Sequence, residues 1–288
     1  MLYRHLALIS LATILWGLNL VAGKIGVGEM PPILFAALRM VVLAVILAPW
    51  FRLVPGQAVT VFWAALLAGA THFGFFFLGL SLARGVASVA IVVQLITPFS
   101  VLLAIFFLGE RIGWRRALGI GVAFAGVVLV GFDPEVIDRL GAVFLVIIAA
   151  LSMAASFLFV RRLVGVNALI IQAWVAMLGA PVLLAASLVF ETGQIDALTH
   201  ASARGIGAVL FSALGASLVG HGAMVYLLQR YEVSLVSSFT LLAPVIGIAA
   251  SVAFLGETIS WRIILGGIMT LGGVAAIHLR AHRLARAA

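Results

Sequence analysis

Arg39, His72 and His221 stand among long apolar stretches, with no acid beside any of them. Those three groups, with the tryptophans, asparagine and glutamines nearby, are the residues whose chemistry must be explained. Catalysis is a poor fit. The chain has no HExxH, no acidic calcium loop and no two carboxylates paired within one element. Its nine acids, Glu29, Glu110, Asp133, Glu135, Asp138, Glu191, Asp196, Glu232 and Glu257, all fall in loops or near the ends of apolar runs. "GLNLVAGKI" (17–25) imitates a phosphate loop, but five residues separate its outer glycines and Ile25 follows the lysine. A true loop of that kind has four, then Ser or Thr. What remains is recognition: hydrogen-bonding groups and aromatic walls that suit a small amphipathic solute.

The surroundings of these groups decide their cost. The chain is 65% hydrophobic and 9% charged, with mean hydropathy +1.31. Soluble domains run at roughly 45–50% apolar and about 25% charged. Only a bilayer absorbs the excess. Ten runs are long enough to span it, each near the roughly 20 residues required: 5–24, 32–51, 60–81, 86–108, 114–132, 141–160, 168–190, 205–228, 233–255 and 261–280. The first is read as an uncleaved helix, since nine more follow and no A-x-A site ends it. Cysteine is absent, which removes disulfides and thiolate metal sites. The net charge of +8 reflects loop arginines rather than a nucleic-acid partner.

Arginine also sets orientation. With both termini in the cytoplasm, eleven cations lie on the inner side and five on the outer, and Arg39 lies within a span. That asymmetry favours both termini inside. The basic tail "LRAHRLARAA" then anchors on anionic lipid.

"LGERIGW" at 108–114 returns as "LGETISW" at 255–261. Arg84, Ser88 and Pro98 align with Arg230, Ser234 and Pro244 at an offset of 146. One residue later in register, Gly109, Glu110, Trp114, Arg115, Gly119 and Gly126 align with Gly256, Glu257, Trp261, Arg262, Gly266 and Gly273. The chain reads as two five-span repeats, 1–140 and 141–288. Five is odd, so the second must be inverted. Inverted repeats suit a transporter with a midplane site and alternating access.

The doubled "LGE…W", with "LWGLNLVAGK" in the first span and "ALRM" in the second, resembles the ten-helix EamA type of the drug/metabolite transporter superfamily. The resemblance covers nearly the whole chain. It implies a basket-like bundle around a central cavity that exports small metabolites. The amino-acid exporters, including the aromatic amino-acid branch, are similar in length and span count. The halves have diverged: Met153, Ala154 and Ser156 stand where Trp16, Gly17 and Asn19 would repeat, and Ala176 where Arg39 would. Any substrate site is therefore asymmetric.

The polar and aromatic residues within spans form the expected substrate set: Trp16, Asn19, Arg39, His72, Phe75, Phe76, Gln94, Ser152, Ser156, Gln172, Trp174, His221, Tyr226 and Thr240. For each, an interhelical bond competes with ligand contact. Arg39 can snorkel, pair with a carbonyl, or hold a substrate carboxylate. Pro98 and Pro244, near mid-span, are static kinks or hinges. Glu110 and Glu257 are read as caps of the following helix, with a gating role as the other reading. The small-residue stripes Gly119, Ala123, Gly126 and Gly266, Thr270, Gly273 are read as close helix packing.

The expectation is an all-α polytopic protein of the inner (plasma) membrane that exports amino acids or analogues as a uniporter. A proton-coupled antiporter is the alternative, and a non-transporting scaffold the blandest. No enzyme activity, cofactor or metal is expected. The partners are a small-molecule substrate and membrane lipid; the sequence leaves the oligomeric state open, with a monomer as the plain expectation.

Overall fold

A computed structural model describes residues 3–110, 112–228, 231, 239 and 241–285. Those residues are helical, with no strand among them. Among the described residues, eight helices are long and apolar enough to cross a membrane. They are α1 (Tyr3–Glu29), α2 (Pro32–Trp50), α3 (Ala58–Leu82), α4 (Val86–Leu108), α5 (Trp114–Gly131), α6 (Leu140–Arg162), α7 (Ala168–Phe190) and α8 (Ala203–Met224). Two shorter apolar helices follow, α9 (Leu242–Leu255) and the apolar part of α10, Trp261–Ile277. The ninth expected span, 233–255, is described only from its later part. Thr240 lies outside the described residues, as do Arg111, Arg230, Glu232 and Ser234.

In lipid each backbone polar group needs a partner within the protein. Helix ends are where this is hardest, and distant side chains supply them here. The Glu191 carboxylate accepts from the amides of Ile33 (2.7 Å) and Leu34 (2.9 Å), closing the start of α2. Ser202 caps α8 and donates to Glu29 (2.5 Å). Asp133 accepts from Ser260, which in turn caps α10. Glu257 corrects an expectation. It caps not the helix that follows it but the start of α4, accepting from Val86 N–H at 2.7 Å. Glu110 instead pairs with Arg161 at 2.6 Å. The first four of these carboxylates, with Arg84–Asp138, mark one end of the bundle. Glu110–Arg161, Gln57–Val164 and Trp174–Arg52 mark the other.

The repeated phrases share one geometry. Gly109 and Gly256 end α4 and α9 at φ +66° and +68°, the left-handed conformation that glycine closes helices with. Their amides bond back to Ala104 and Ser251, five residues earlier in both cases. Pro98 and Pro244 each occupy the third position of the helical segment that these glycines close. Pro98 stands near the middle of the Val86–Leu108 span, as expected. It lacks the amide that would bond back toward Gln94, and the α-helical winding breaks just before it, in the 3-10 turn Val93–Leu95 of α4.

The principal contacts pair α2 with α7, α5 with α10, α1 with α9, α4 with α6, α3 with both α6 and α7, and α8 with both α1 and α2. Helices α5 and α10 run antiparallel and nearly touch. A Cβ on Gly126 would sit 2.6 Å from the Gly266 carbonyl, and one on Gly266 would sit 2.6 Å from the Gly126 carbonyl. Gly119 and Gly273 make the same reciprocal pair, at 2.9 and 2.5 Å. Between them Thr270 donates to Gly266 (2.8 Å) and reaches Ala123. Both small-residue stripes thus serve packing.

Candidate functional site

Helix α2 carries Arg39 about 10 Å past its start, and the side chain is 2% exposed. A cation at that depth costs about 2.5–3.5 kcal/mol or more. Two features offset it. The guanidinium lies 3.9 Å above the Phe73 ring, a contact that contributes about 2 kcal/mol when desolvated. It also donates through Nε (3.1 Å) and Nη2 (2.5 Å) to the Ser217 hydroxyl of α8. That hydroxyl in turn donates to the Ser212 carbonyl at 3.0 Å. A serine hydroxyl has one donor and two lone pairs, so Ser217 has no capacity left. Nη1 of Arg39 has no protein partner.

The Ser217–Ser212 bond exists because α8 is π-wound over Phe211–His221. That winding sets a residue above the one five positions earlier. Helix α3 is π-wound over Leu66–His72, and there Thr71 donates to the Leu66 carbonyl at 3.3 Å. Thr71 and Leu66 are the counterparts of Ser217 and Ser212 at the 146-residue offset. Only one of the two sites has an arginine, since Ala176 replaces it in α7. π segments concentrate at functional sites.

Both π segments end on a histidine. His72 is buried, with Nδ1 2.8 Å from the Ala149 carbonyl of α6. Its ring meets Phe73 edge-on (4.7 Å) and stacks on Phe76 (5.8 Å). Nδ1 of His221 lies 3.1 Å from the Ala216 carbonyl. Trp16 of α1 donates to that same carbonyl at 2.9 Å, and its ring meets His221 edge-on at 5.2 Å. A carbonyl only accepts, so each Nδ1 carries its hydrogen. Trp16, His221, the Ala216–Ser217 backbone, Arg39, Phe73, His72 and Phe76 therefore form one unbroken line of contacts across α1, α8, α2 and α3.

Five of the expected substrate residues, Trp16, Arg39, His72, Phe76 and His221, lie in this line. Gln172 joins it at a gap of about 20 Å³ shared with Ser217 and His221. Ser152 and Ser156 are buried and donate to Leu67 (2.9 Å) and Ala64 (2.8 Å), fastening α6 to the front of the α3 π segment. Phe75 packs half-buried against the core. Gln94 sits half-buried in the 3-10 turn before Pro98. Asn19 is half-buried on α1 with its Oδ1 unpaired. Two residues lie away from the group. Trp174 donates to the Arg52 carbonyl (2.9 Å) and packs on Phe51 at a bundle end. Tyr226 is 40% exposed, edge-on to His5.

Ser217 and Phe73 were not anticipated. The signal for Ser217 was present: a second hydroxyl residue, Thr71, stands at the equivalent repeat position. Lys24 is a further surprise. Rather than facing solvent, it donates to the Leu80 (3.0 Å) and Ala83 (2.5 Å) carbonyls and closes the end of α3.

A separate cleft of about 280 Å³ opens at the bundle end that carries Glu257. None of the expected substrate residues lines it. Among the described residues no group of three His, Asp or Glu is placed to hold a metal.

Known proteins bear on this arrangement. The EamA-like transporter family matches the chain twice, over residues 4–132 and 140–279. A protein of Escherichia coli (strain K12) described as a "probable amino-acid metabolite efflux pump" is 28% identical over 283 residues, covering 92% of this chain and 91% of its own. A protein of Salmonella typhimurium with the same description is 28% identical over 290 residues, covering 96% of each. A solved crystal structure superposes with TM-score 0.64 over 99% of each chain at 21% identity, a likeness of fold.

Proposed function

Since the chain belongs to the EamA-like transporter family and is a multi-pass membrane transporter, we propose that it exports amino acids or closely similar metabolites as a uniporter. The halves 1–140 and 141–288 act as inverted five-helix repeats that rock about a central site, in a bundle of ten spans. Both termini face the cytoplasm across the inner membrane, as the arginine asymmetry suggests.

Arg39 carries the substrate assignment. It is a deeply buried cation whose Nη1 has no protein partner. Ser217 holds the Nε–Nη2 edge of the guanidinium, so Nη1 keeps one direction. A carboxylate is the complementary group, and the rings of Phe73 and Phe77, 3.9 and 5.8 Å from the guanidinium, supply an apolar surround. The two relatives' description as efflux pumps for amino-acid metabolites supports the same class.

The repeat reading draws on the pairing of helices. Exchange of α1–α5 with α6–α10 turns α1·α9 into α6·α4, and α3·α7 into α8·α2, both of which occur. The pairs α2·α7 and α5·α10 return to themselves. The reciprocal glycine contacts between antiparallel α5 and α10 have the symmetry of a twofold axis perpendicular to those helices.

Counterflow in proteoliposomes with labelled amino acids, sugars and nucleotides tests the assignment. Exchange confined to amino acids and their analogues is expected. Exchange of sugars or nucleotides alone would overturn it, and no flux of any solute would favour a scaffold. The alternative, proton-coupled exchange, draws on His72 and His221 as titratable groups within the spans.

A further inference from the structure

The cleft at the Glu257 end is built from the start of α4, the start of α6 and the α9–α10 turn. Its wall has two parts. Inside, Ala87, Val89, Val92, Val143, Val146 and Ile263 form an apolar slot that follows α4 for about 8 Å. At its mouth stand Arg84, Glu135, Arg139 and Glu257.

Two of these four charges are committed. Arg84 pairs with Asp138 at 3.3 Å, and Glu257 holds the Val86 amide. The other two are not. Among the described residues, neither the Arg139 guanidinium nor the Glu135 carboxylate makes a hydrogen bond or an ion pair. The mouth thus offers one uncommitted cation and one uncommitted anion above an apolar slot. Its volume of about 280 Å³ falls at the lower edge of small-molecule sites, which run from about 300 to 1,000 Å³. Neither an apolar solute nor a simple ion would use both charges.

We propose that this cleft is a second binding site for a zwitterionic amino acid with an apolar side chain, distinct from the buried Arg39 line. Arg139 holds the carboxylate, Glu135 the ammonium, and the side chain enters the slot between α4 and α6. In the proposed orientation the cleft faces outside, so it receives the solute as it leaves. The substrate class rests on the proposed function, while the site itself rests on the cleft. A zwitterionic lipid headgroup has the same pair of charges, and the test separates the two sources.

The chain has no cysteine, so a single Thr258→Cys substitution places one thiol on the cleft wall. The full-length variant is reconstituted in phosphatidylglycerol vesicles, which lack a zwitterionic headgroup, and labelled with a membrane-impermeant maleimide. Phenylalanine, leucine and methionine are added as probes. At least threefold slower labelling is expected with one or more of them. Added Arg139→Gln or Glu135→Gln should remove that protection, and Arg139→Lys should keep part of it. N-acetylphenylalanine and phenylalanine methyl ester, each with one charge, should protect less than phenylalanine. Absence of protection by all three amino acids, or protection unchanged in both Gln variants, overturns the site. Protection that requires added phosphatidylcholine and ignores amino acids assigns the cleft to lipid and also overturns it. Counterflow by the unsubstituted protein is measured alongside. Protection without amino-acid counterflow would keep this site and sink the export reading, and counterflow without protection would do the reverse.

Discussion

Arg39 and Ser217 meet across α2 and α8 with the hydroxyl oxygen accepting from both Nε and Nη2 of the guanidinium. The serine also donates to Ser212, so one small side chain satisfies a buried charge and the loosened carbonyl of a π turn together.

Removal of that hydroxyl should therefore be costly. Ser217→Ala strips the acceptor from a buried cation, and hydrogen bonds to charged groups contribute about 1.5–3 kcal/mol. We expect a lower thermal midpoint in detergent for Ser217→Ala and a much smaller change for Thr71→Ala, whose hydroxyl serves no arginine. Equal shifts in the two variants would mean that the π turn, not the charge, is what the hydroxyl supports.

Arg39→Gln should abolish amino-acid counterflow or weaken it at least tenfold, provided the variant still runs as a monodisperse peak. Arg39→Lys should not restore it fully, because a lysine lacks the planar fork that engages Ser217 and leaves Nη1 free. Full activity in Arg39→Gln would remove the arginine from substrate recognition.

The glycine seam gives a contrast within one helix. Gly126 touches α10, whereas a Cβ at Gly121 would meet nothing within 4 Å. Gly126→Val should destabilise by about 1–3 kcal/mol, the usual range for overpacking, and Gly121→Val by far less. Unfolding midpoints of the two purified variants measure the difference.

Pro98→Ala should restore a donor beside the 3-10 turn Val93–Leu95 and let α4 wind through it. Slower counterflow at near-normal expression is expected, and likewise for Pro244→Ala. Unchanged flux in both would leave the prolines as static features of the fold.

An imposed pH gradient should not drive accumulation of solute in proteoliposomes. No acid lies deep within a described span, and His72 and His221 are each held by a backbone carbonyl. Gradient-driven uptake that vanishes in His72→Gln or His221→Gln, with counterflow intact, would assign the proton to that histidine and overturn the uniport reading.

The class of protein and much of the helix layout were legible in the sequence, because apolar length and repeated phrases are one-dimensional signals. "LGE" twice predicts two matching helix ends, and Gly109 and Gly256 share one backbone geometry. The site was harder to read. A helical wheel assumes 3.6 residues per turn, and the π segments at 66–72 and 211–221 depart from it. The rings of His72 and Phe76 stack on one another, as their i, i+4 spacing suggests, but Thr71 and Ser217 carried no sign of their carbonyl partners. Trp174 and Tyr226 lie away from the Arg39 line, near bundle ends where aromatic rings commonly settle. The cap by Glu257 joins residues 171 positions apart, and no local pattern announces such a bond.

The seam between α5 and α10 has a further consequence. Each glycine contact on one side is answered by its repeat counterpart on the other, so the face of α5 is complementary to a copy of itself turned over. On the proposed inverted-repeat reading, a polypeptide that contained only the first five helices would bear a complementary surface for a second, oppositely inserted copy. Fusion of two such chains end to end would keep that handshake while freeing the rest of each copy to change. The arginine at position 39, facing a serine whose counterpart at the repeat offset has none, is a difference that two identical copies could not hold.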